Sequence, residues 1–149
     1  MARGRWFGRR ARNVGAMESV PEGIATKCDK CSAILFARDF ERSLKVCSKC
    51  GHHHRLNARE RLEITVDPDT FEEMDAGLVS KDPLRFPGYA EKLVSSRANT
   101  GLKDAIVTGT GQIDGRSAVL GVSDFGFVGG SMGSAVGEKI ARAFETAID

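Results

Sequence analysis

A chain of 149 residues, 41% hydrophobic and 28% charged, is too apolar to remain disordered. It is long enough for one medium domain, or for a small metal-stapled module joined to part of a larger one. No internal repeat or low-complexity segment is visible, and nothing reads as a membrane span. The formal net charge of +2 conceals an asymmetry: residues 1–63 carry 14 Lys/Arg against 7 Asp/Glu and residues 64–149 carry 8 against 13, so the two stretches stand at +7 and −5.

Positive charge begins at once. Residues 1–25 read as a basic flexible tail and linker; the first dozen contain no acid and no apolar core, which makes them neither a signal peptide nor a span. Such a tail could neutralise nucleic-acid phosphates, and Lys27, Lys30, Lys45 and Lys49 would extend the patch, but a solvated tail is the plainer reading. Ser19-Val20-Pro21-Glu22-Gly23 reads as a linker and turn into the next segment.

All four cysteines fall within residues 26–51, as Cys28-Asp29-Lys30-Cys31 and Cys47-Ser48-Lys49-Cys50-Gly51, two C-x-x-C knuckles separated by 15 residues. Each knuckle sets two thiolates on one side of a tight turn, so together they make a closed tetrahedral all-thiolate site, a zinc ribbon. The span between them predicts a hairpin with strands at 33–37 and 44–46 that folds the second knuckle onto the first. No position is left open for a labile ligand, so one structural zinc on Cys28, Cys31, Cys47 and Cys50 is expected rather than a catalytic one. Two disulfides and a rubredoxin-like iron site are the competing readings. The first is disfavoured by the lack of a secretory signal, the second by basic loops that give no hint of electron transfer. His52, His53 and His54 follow directly, but four cysteines need none of them, and they read as surface or packing histidines.

Residues 52–103 read as a helical connecting region. Asn57 followed by Glu60 is a capping box that opens a short helix with Leu62 on its apolar side. Asp67-Pro68 repeats the start signal, an N-cap and then Pro at the first helical position, for a turn of helix through Phe71 and Met74. Two prolines break regular structure over 81–88, and a helix follows from about Tyr89 to Ala98, ended by Asn99-Thr100-Gly101.

The remaining stretch, 104–149, changes character. Strands at 104–113 and 116–123 flank Asp114-Gly115, a dipeptide suited to a type I′ turn because both of its residues need positive φ. Their near-continuous apolar runs, Ala105-Ile106-Val107 and Ala118-Val119-Leu120, mark a sheet covered on both faces. A glycine-rich loop through Gly129-Gly130-Ser131-Met132-Gly133-Ser134 leads into a helix over 135–148 whose Val136, Ile140, Ala143, Phe144 and Ala147 form a core-facing stripe. The loop is neither a Walker A element nor a dinucleotide fingerprint. A strand that delivers glycines into a helix N-terminus exposes backbone N–H groups suited to a phosphate or a carbonyl oxygen, and glycines that only permit close packing are the equal alternative.

The motifs taken together resemble the N-terminal half of the carboxyltransferase β subunits of bacterial acetyl-CoA carboxylases, over residues 20–149. The strings that carry it are Pro21-Glu22-Gly23, Lys27-Cys28-x-x-Cys31, Val46-Cys47-x-Lys49-Cys50, His52-His53 with Arg55, and Gly129 to Ser134. Ile24-Ala25 departs from it, since the family often has an aromatic residue before Thr-Lys-Cys. The resemblance implies an α/β protein in which the four-cysteine ribbon precedes the start of a crotonase-like domain of repeated β-β-α units, with 104–149 as the first unit. It implies a cytoplasmic subunit that moves a carboxyl group from carboxybiotin to acetyl-CoA, giving malonyl-CoA for fatty-acid synthesis. It also implies an α partner in a heterotetramer of two α and two β subunits, a biotin carboxyl carrier protein, and a biotin carboxylase that consumes the ATP. Gly129, Gly130, Ser131, Met132 and Gly133 are then expected to shape the coenzyme A thioester site.

The family's glycine pair that stabilises the thioester enolate lies downstream of the last helix here, so no catalytic side chain is assigned and the 149-residue chain alone is expected to be inactive. That helix ends at Asp149 without Gly or a basic final turn, and a single hairpin with two apolar faces cannot cover itself; both features predict a fragment of a longer subunit. A nucleic-acid-binding ribbon and a pure assembly module are the alternatives to the enzyme reading.

Overall fold

The structure, a computed structural model, describes residues 23–149, so the basic tail and nearly all of the linker lie outside the described residues. The described chain falls into two units, one ending at His54 and one starting at Arg55.

In the first unit each knuckle is the tip of its own small hairpin. Strand β1 (Ala25–Lys27) runs into the first knuckle and pairs antiparallel with β2 (Ile34–Phe36) on its far side, the turn closing with Cys28 N–H donating to Ala33 O at 2.9 Å. The second knuckle is closed by Cys47 N–H to His52 O at 2.8 Å and by an isolated bridge between Val46 and His53. The expected hairpin of 33–37 with 44–46 is therefore wrong in its pairing. A short helix α1 (Ala37–Arg42) follows β2 directly, and Leu44 and Lys45 take φ of 55° and 59°, a left-handed backbone that no strand contains. Among the described residues of this unit only Leu35, Cys28 and Cys47 are buried, with Ala33 and Phe40 packed on them.

The second unit is built on a three-stranded antiparallel sheet in the order β3 (Glu72–Met74), β4 (Ile106–Ile113), β5 (Arg116–Ser123). The β4–β5 turn has Asp114 at φ 49° and Gly115 at φ 73°, the left-handed pair the dipeptide predicts. Asp67 does not start a helix. Its carboxylate accepts from Asp114 N at 3.0 Å and Gly115 N at 2.7 Å, and its own N–H donates to Gln112 O at 2.8 Å. With the Asp67 side chain spent on the hairpin turn and Asp69 at φ 61°, residues 67–70 form a turn and the chain continues as β3, in register with Thr108–Thr110 of β4 where a helical turn was expected.

Helix α2 (Ala58–Glu63) has the predicted capping box, Glu60 N–H to Asn57 Oδ1 at 2.9 Å and Asn57 N–H to Glu60 Oε2 at 2.8 Å, and it buries Leu62. Helix α3 (Tyr89–Thr100) runs two residues past its expected end to Gly101, which caps it at φ 68°. Helix α4 (Ser134–Ile148) packs on β4 and β5. Leu62, Leu93, Leu102, Ile106, Val107, Phe127 and Val136 form one buried cluster between these elements. At about 1.5–3 kcal/mol for each large apolar side chain, that cluster is the main force holding the second unit.

Two expectations fail at the margins of this core. Strand β4 is buried along most of its length, but β5 is the edge strand and is half exposed, so coverage on both faces holds for one strand and not the other. The stripe of α4 is buried only in its first half: Val136 is sealed and Ile140 packs on the cluster, whereas Phe144 is 68% exposed. Sequence periodicity fixes which side of a helix is apolar, not whether a neighbour is there to cover it.

Candidate metal centre and glycine loop

The knuckle hairpins bring the four sulfurs within 4.8 Å of one another. An ion about 2.3 Å from each of four tetrahedral sulfurs requires them to stand about 3.8 Å apart, and the Cys28–Cys50 and Cys31–Cys47 pairs are each separated by 3.8 Å. The residues therefore fit one tetrahedral thiolate-bound ion. Cys28 and Cys47 lie buried against Leu35 while Cys31 and Cys50 face outward, so one side of the site rests on the small core.

Four thiols at this distance cannot share charge evenly. The backbone N–H of Cys31, against an opposing effect of burial, holds the Cys28 thiol down to about 5, with help from His54, the Lys30 N–H and the Cys47 sulfur. At Cys50 the His52 N–H favours the thiolate, but burial and the sulfurs of Cys31, Cys47 and Cys28 push it up to about 12. A divalent cation resolves that conflict by favouring the thiolate at all four. Of the three histidines, His53 is exposed, whereas His52 and His54 are partly buried with their rings packed edge to face at 4.8 Å.

The glycine loop is set by a carboxylate that sequence reading missed. Asp124 is 5% exposed; its Oδ2 accepts from Ala58 N at 2.9 Å and its Oδ1 from Gly126 N at 2.7 Å, so it ties the first turn of α2 to the start of the loop. Phe127 is buried beneath, and a single tight turn over Val128–Gly130 follows, with Gly129 and Gly130 at φ 67° and 72°. Gly133 caps α4 without a side-chain partner, and the first turn of that helix carries no acid. Met132 and Phe125 stand exposed beside the loop, with the Arg55 guanidinium 4.2 Å over the Phe125 ring.

Two further buried polar groups also went unread. Asp104 accepts from Ser80 N and from Ala105 N, which anchors the chain ahead of α3 to the start of β4. Lys139 is 2% exposed and donates to Ile106 O at 3.3 Å. Its position was legible, since it lies on the same face of α4 as Val136 and Ile140, but its polarity kept it out of an apolar stripe.

Residues 52–149 match the family model of the carboxyl transferase domain, and residues 26–50 that of the acetyl-CoA carboxylase zinc finger domain. Over 129 residues the chain is 56% identical to the acetyl-coenzyme A carboxylase carboxyl transferase subunit beta of Desulforudis audaxviator, covering 87% of this chain and 46% of that protein. It is 52% identical over 136 residues to the same subunit of Endomicrobium trichonymphae, covering 91% and 48%. The chain thus spans about half the length of these curated relatives. Among solved structures, transcarboxylase 12S with methylmalonyl-coenzyme A and methylmalonic acid bound superimposes with a TM-score of 0.52 at 31% identity, over 62% of this chain and 16% of that one.

Proposed function

The chain belongs to the carboxyl transferase family, and from that premise we propose that it is the ribbon and first crotonase-like unit of an acetyl-CoA carboxylase β subunit. That subunit transfers a carboxyl group from carboxybiotin to acetyl-CoA, in the cytoplasm, with an α subunit as its partner. The observation that carries the reading is the succession of a zinc-finger match and a carboxyl transferase match in one chain, at 56% identity to a named β subunit. A relative from Natranaerobius thermophilus named as subunits beta/alpha supports an intimate α partner. Two α and two β subunits, a biotin carboxyl carrier protein and an ATP-consuming biotin carboxylase complete the assembly.

In this reading Cys28, Cys31, Cys47 and Cys50 hold one zinc, which supplies a rigid cross-link and takes no part in carboxyl transfer. Gly129, Gly130, Ser131, Met132 and Gly133 shape the coenzyme A thioester site. The left-handed turn at Gly129 and Gly130, the exposed Met132 and the uncapped start of α4 support that role, because they let a ligand approach the backbone and favour negative charge.

The test uses the complete β subunit with its α partner. Gly130 is a poor single probe, since at φ 72° any side chain is strained whatever its effect on a ligand. Gly133 is a better one: its φ is −84° and an added Cβ would sit 3.6 Å from Ser80 Oγ, an ordinary contact. Gly133→Ala should raise KM for acetyl-CoA about tenfold while zinc content and assembly stay intact. Unchanged kinetics in a folded, assembled variant would assign the glycines to packing.

A second role for the ribbon is favoured by one observation. Ile34 and Phe36 share a face of β2 and are 76% and 69% exposed, which supports a protein partner clamped on that face. Phosphate contacts from the exposed Lys27, Lys30 and Lys49 are the alternative, and they would show as a steep fall of nucleic-acid affinity with salt.

A further inference from the structure

Helix α4 begins at Gly133, which sits at the N-cap with φ −84° and ψ −174°. A Ser, Thr, Asp or Asn in that position would turn its side-chain oxygen onto the free N–H groups of the first turn, and glycine offers no such acceptor. No acid stands in that turn either. Just upstream, Gly130 N–H donates to Phe127 O at 2.8 Å and Ser131 N–H to Val128 O at 3.3 Å, so the loop satisfies its own donors. Among the described residues nothing accepts from the N–H groups of Ser134, Ala135 and Val136.

The side chain that faces this helix start comes from a distant loop. A Cβ added to Gly133 would stand 3.6 Å from the Oγ of Ser80, so the hydroxyl looks onto the place a capping side chain would take. Ser80 is 8% exposed and its backbone is fully committed: its N–H donates to Asp104 Oδ2 at 2.6 Å and its O accepts from Arg97 Nη2 at 3.3 Å. The hydroxyl has no hydrogen-bond partner among the described residues, yet its oxygen is not sealed off. Buried hydroxyls ordinarily bond, so one held rigid and left free points to an acceptor supplied from outside. Behind it, the Arg97 guanidinium bonds the carbonyls of Ser80 and Lys103, and the Asp104 carboxylate is spent on the N–H groups of Ser80 and Ala105.

We propose that the Ser80 hydroxyl and the first-turn N–H groups of α4 together hold a phosphate group of the coenzyme A thioester. The inference rests on the reading of the glycine loop as part of that ligand's site, and it adds which group of the ligand is recognised and a residue outside the loop that recognises it. These groups all donate, and the dipole of a helix start favours a full negative charge over a neutral oxygen. The other acceptor such donors could serve is the thioester carbonyl, but stabilising its developing charge takes a site shut off from water. Ser131, Met132 and Ser134 are exposed here, Met132 at 77%, which suits a phosphate that keeps part of its hydration.

The experiment uses the complete β subunit assembled with its α partner and compares acetyl-CoA, acetyl-dephospho-CoA, which lacks the ribose phosphate, and acetyl-pantetheine, which lacks every phosphate. Ser80→Ala keeps both backbone bonds of residue 80 and removes the donor. It should raise KM for acetyl-CoA about tenfold with kcat little changed, the usual loss for one hydrogen bond to a charged group. For acetyl-pantetheine, kcat/KM should stay as it is. A penalty that persists with acetyl-dephospho-CoA puts the diphosphate at Ser80, one that disappears there puts the ribose phosphate at it, and either result supports the proposal. Ser80→Cys keeps the shape with a weaker donor and answers the same question if Ser80→Ala fails to assemble. Equal penalties for acetyl-CoA and acetyl-pantetheine would overturn the proposal, because Ser80 would then act on the thioester end or on the fold. Unchanged kinetics with acetyl-CoA would overturn it too, and a raised KM in Gly133→Ala would in that case leave the glycine-loop reading standing, so the two fail separately.

Discussion

The two units of this chain solve the problem of stability by different means. From Arg55 onward, a cluster of buried Leu, Ile, Val and Phe side chains lies between a three-stranded sheet and helices, and buried carboxylates satisfy backbone N–H groups at the loops. Among the described residues up to His54, three buried residues serve as the core and two of them are cysteines. A folded stretch as short as residues 23–54, with that little apolar burial, does not hold itself together without a staple. The lesson is that one chain can carry a region whose fold is set by apolar packing and another whose fold is set by coordination, and perturbations should tell them apart.

The largest effect is expected at Cys47. Cys47→Ala removes a ligand and one of the three buried residues of the ribbon, and structural zinc sites bind with about 10–16 kcal/mol of free energy that is also folding free energy. Zinc by elemental analysis should fall from about one per chain to near none, with amide signals of residues 25–53 collapsing to disordered shifts while those of β4, β5 and α4 persist.

Asp124→Ala should strike the other unit alone. It strands the N–H groups of Ala58 and Gly126 inside the protein, a loss of about 2–4 kcal/mol by the usual strength of charge-assisted bonds. Urea unfolding followed by a probe in residues 55–149 should move to a lower midpoint with zinc content unchanged. A parallel loss of zinc would show that the contrast between the units has been drawn too sharply. Gly115→Ala should cost least, about 1 kcal/mol, because it puts a Cβ on a left-handed turn residue with open space around it. A midpoint that does not move would mean that the Asp67 carboxylate holds the turn whatever residue occupies it.

Local chemistry made much of this legible. The capping box at Asn57 and Glu60, the Asp114-Gly115 turn and the two knuckles each carry their instructions within a few residues, and each appears in the structure where it was expected. What could not be read depends on distant partners. Asp67-Pro68 is a sound helix start until the β4–β5 turn offers its backbone N–H groups to the same carboxylate. The ribbon strand at Ile34–Phe36 was visible, but its partner β1 was not, because the left-handed residues Leu44 and Lys45 that break the expected pairing have no glycine to announce them. At the candidate sites, the cysteines and glycines could be named from spacing and resemblance, whereas Asp124 and Lys139 owe their contacts to burial among residues far away in sequence.

The claim that coordination holds one unit and packing the other is tested most directly by removing the metal from the intact chain with a strong chelator and following hydrogen exchange residue by residue. Amides of 25–54 should lose their protection together while those of β4, β5 and α4 keep theirs, and added zinc should restore the first set. Protection that survives in the ribbon, or that vanishes in both units at once, would contradict the account.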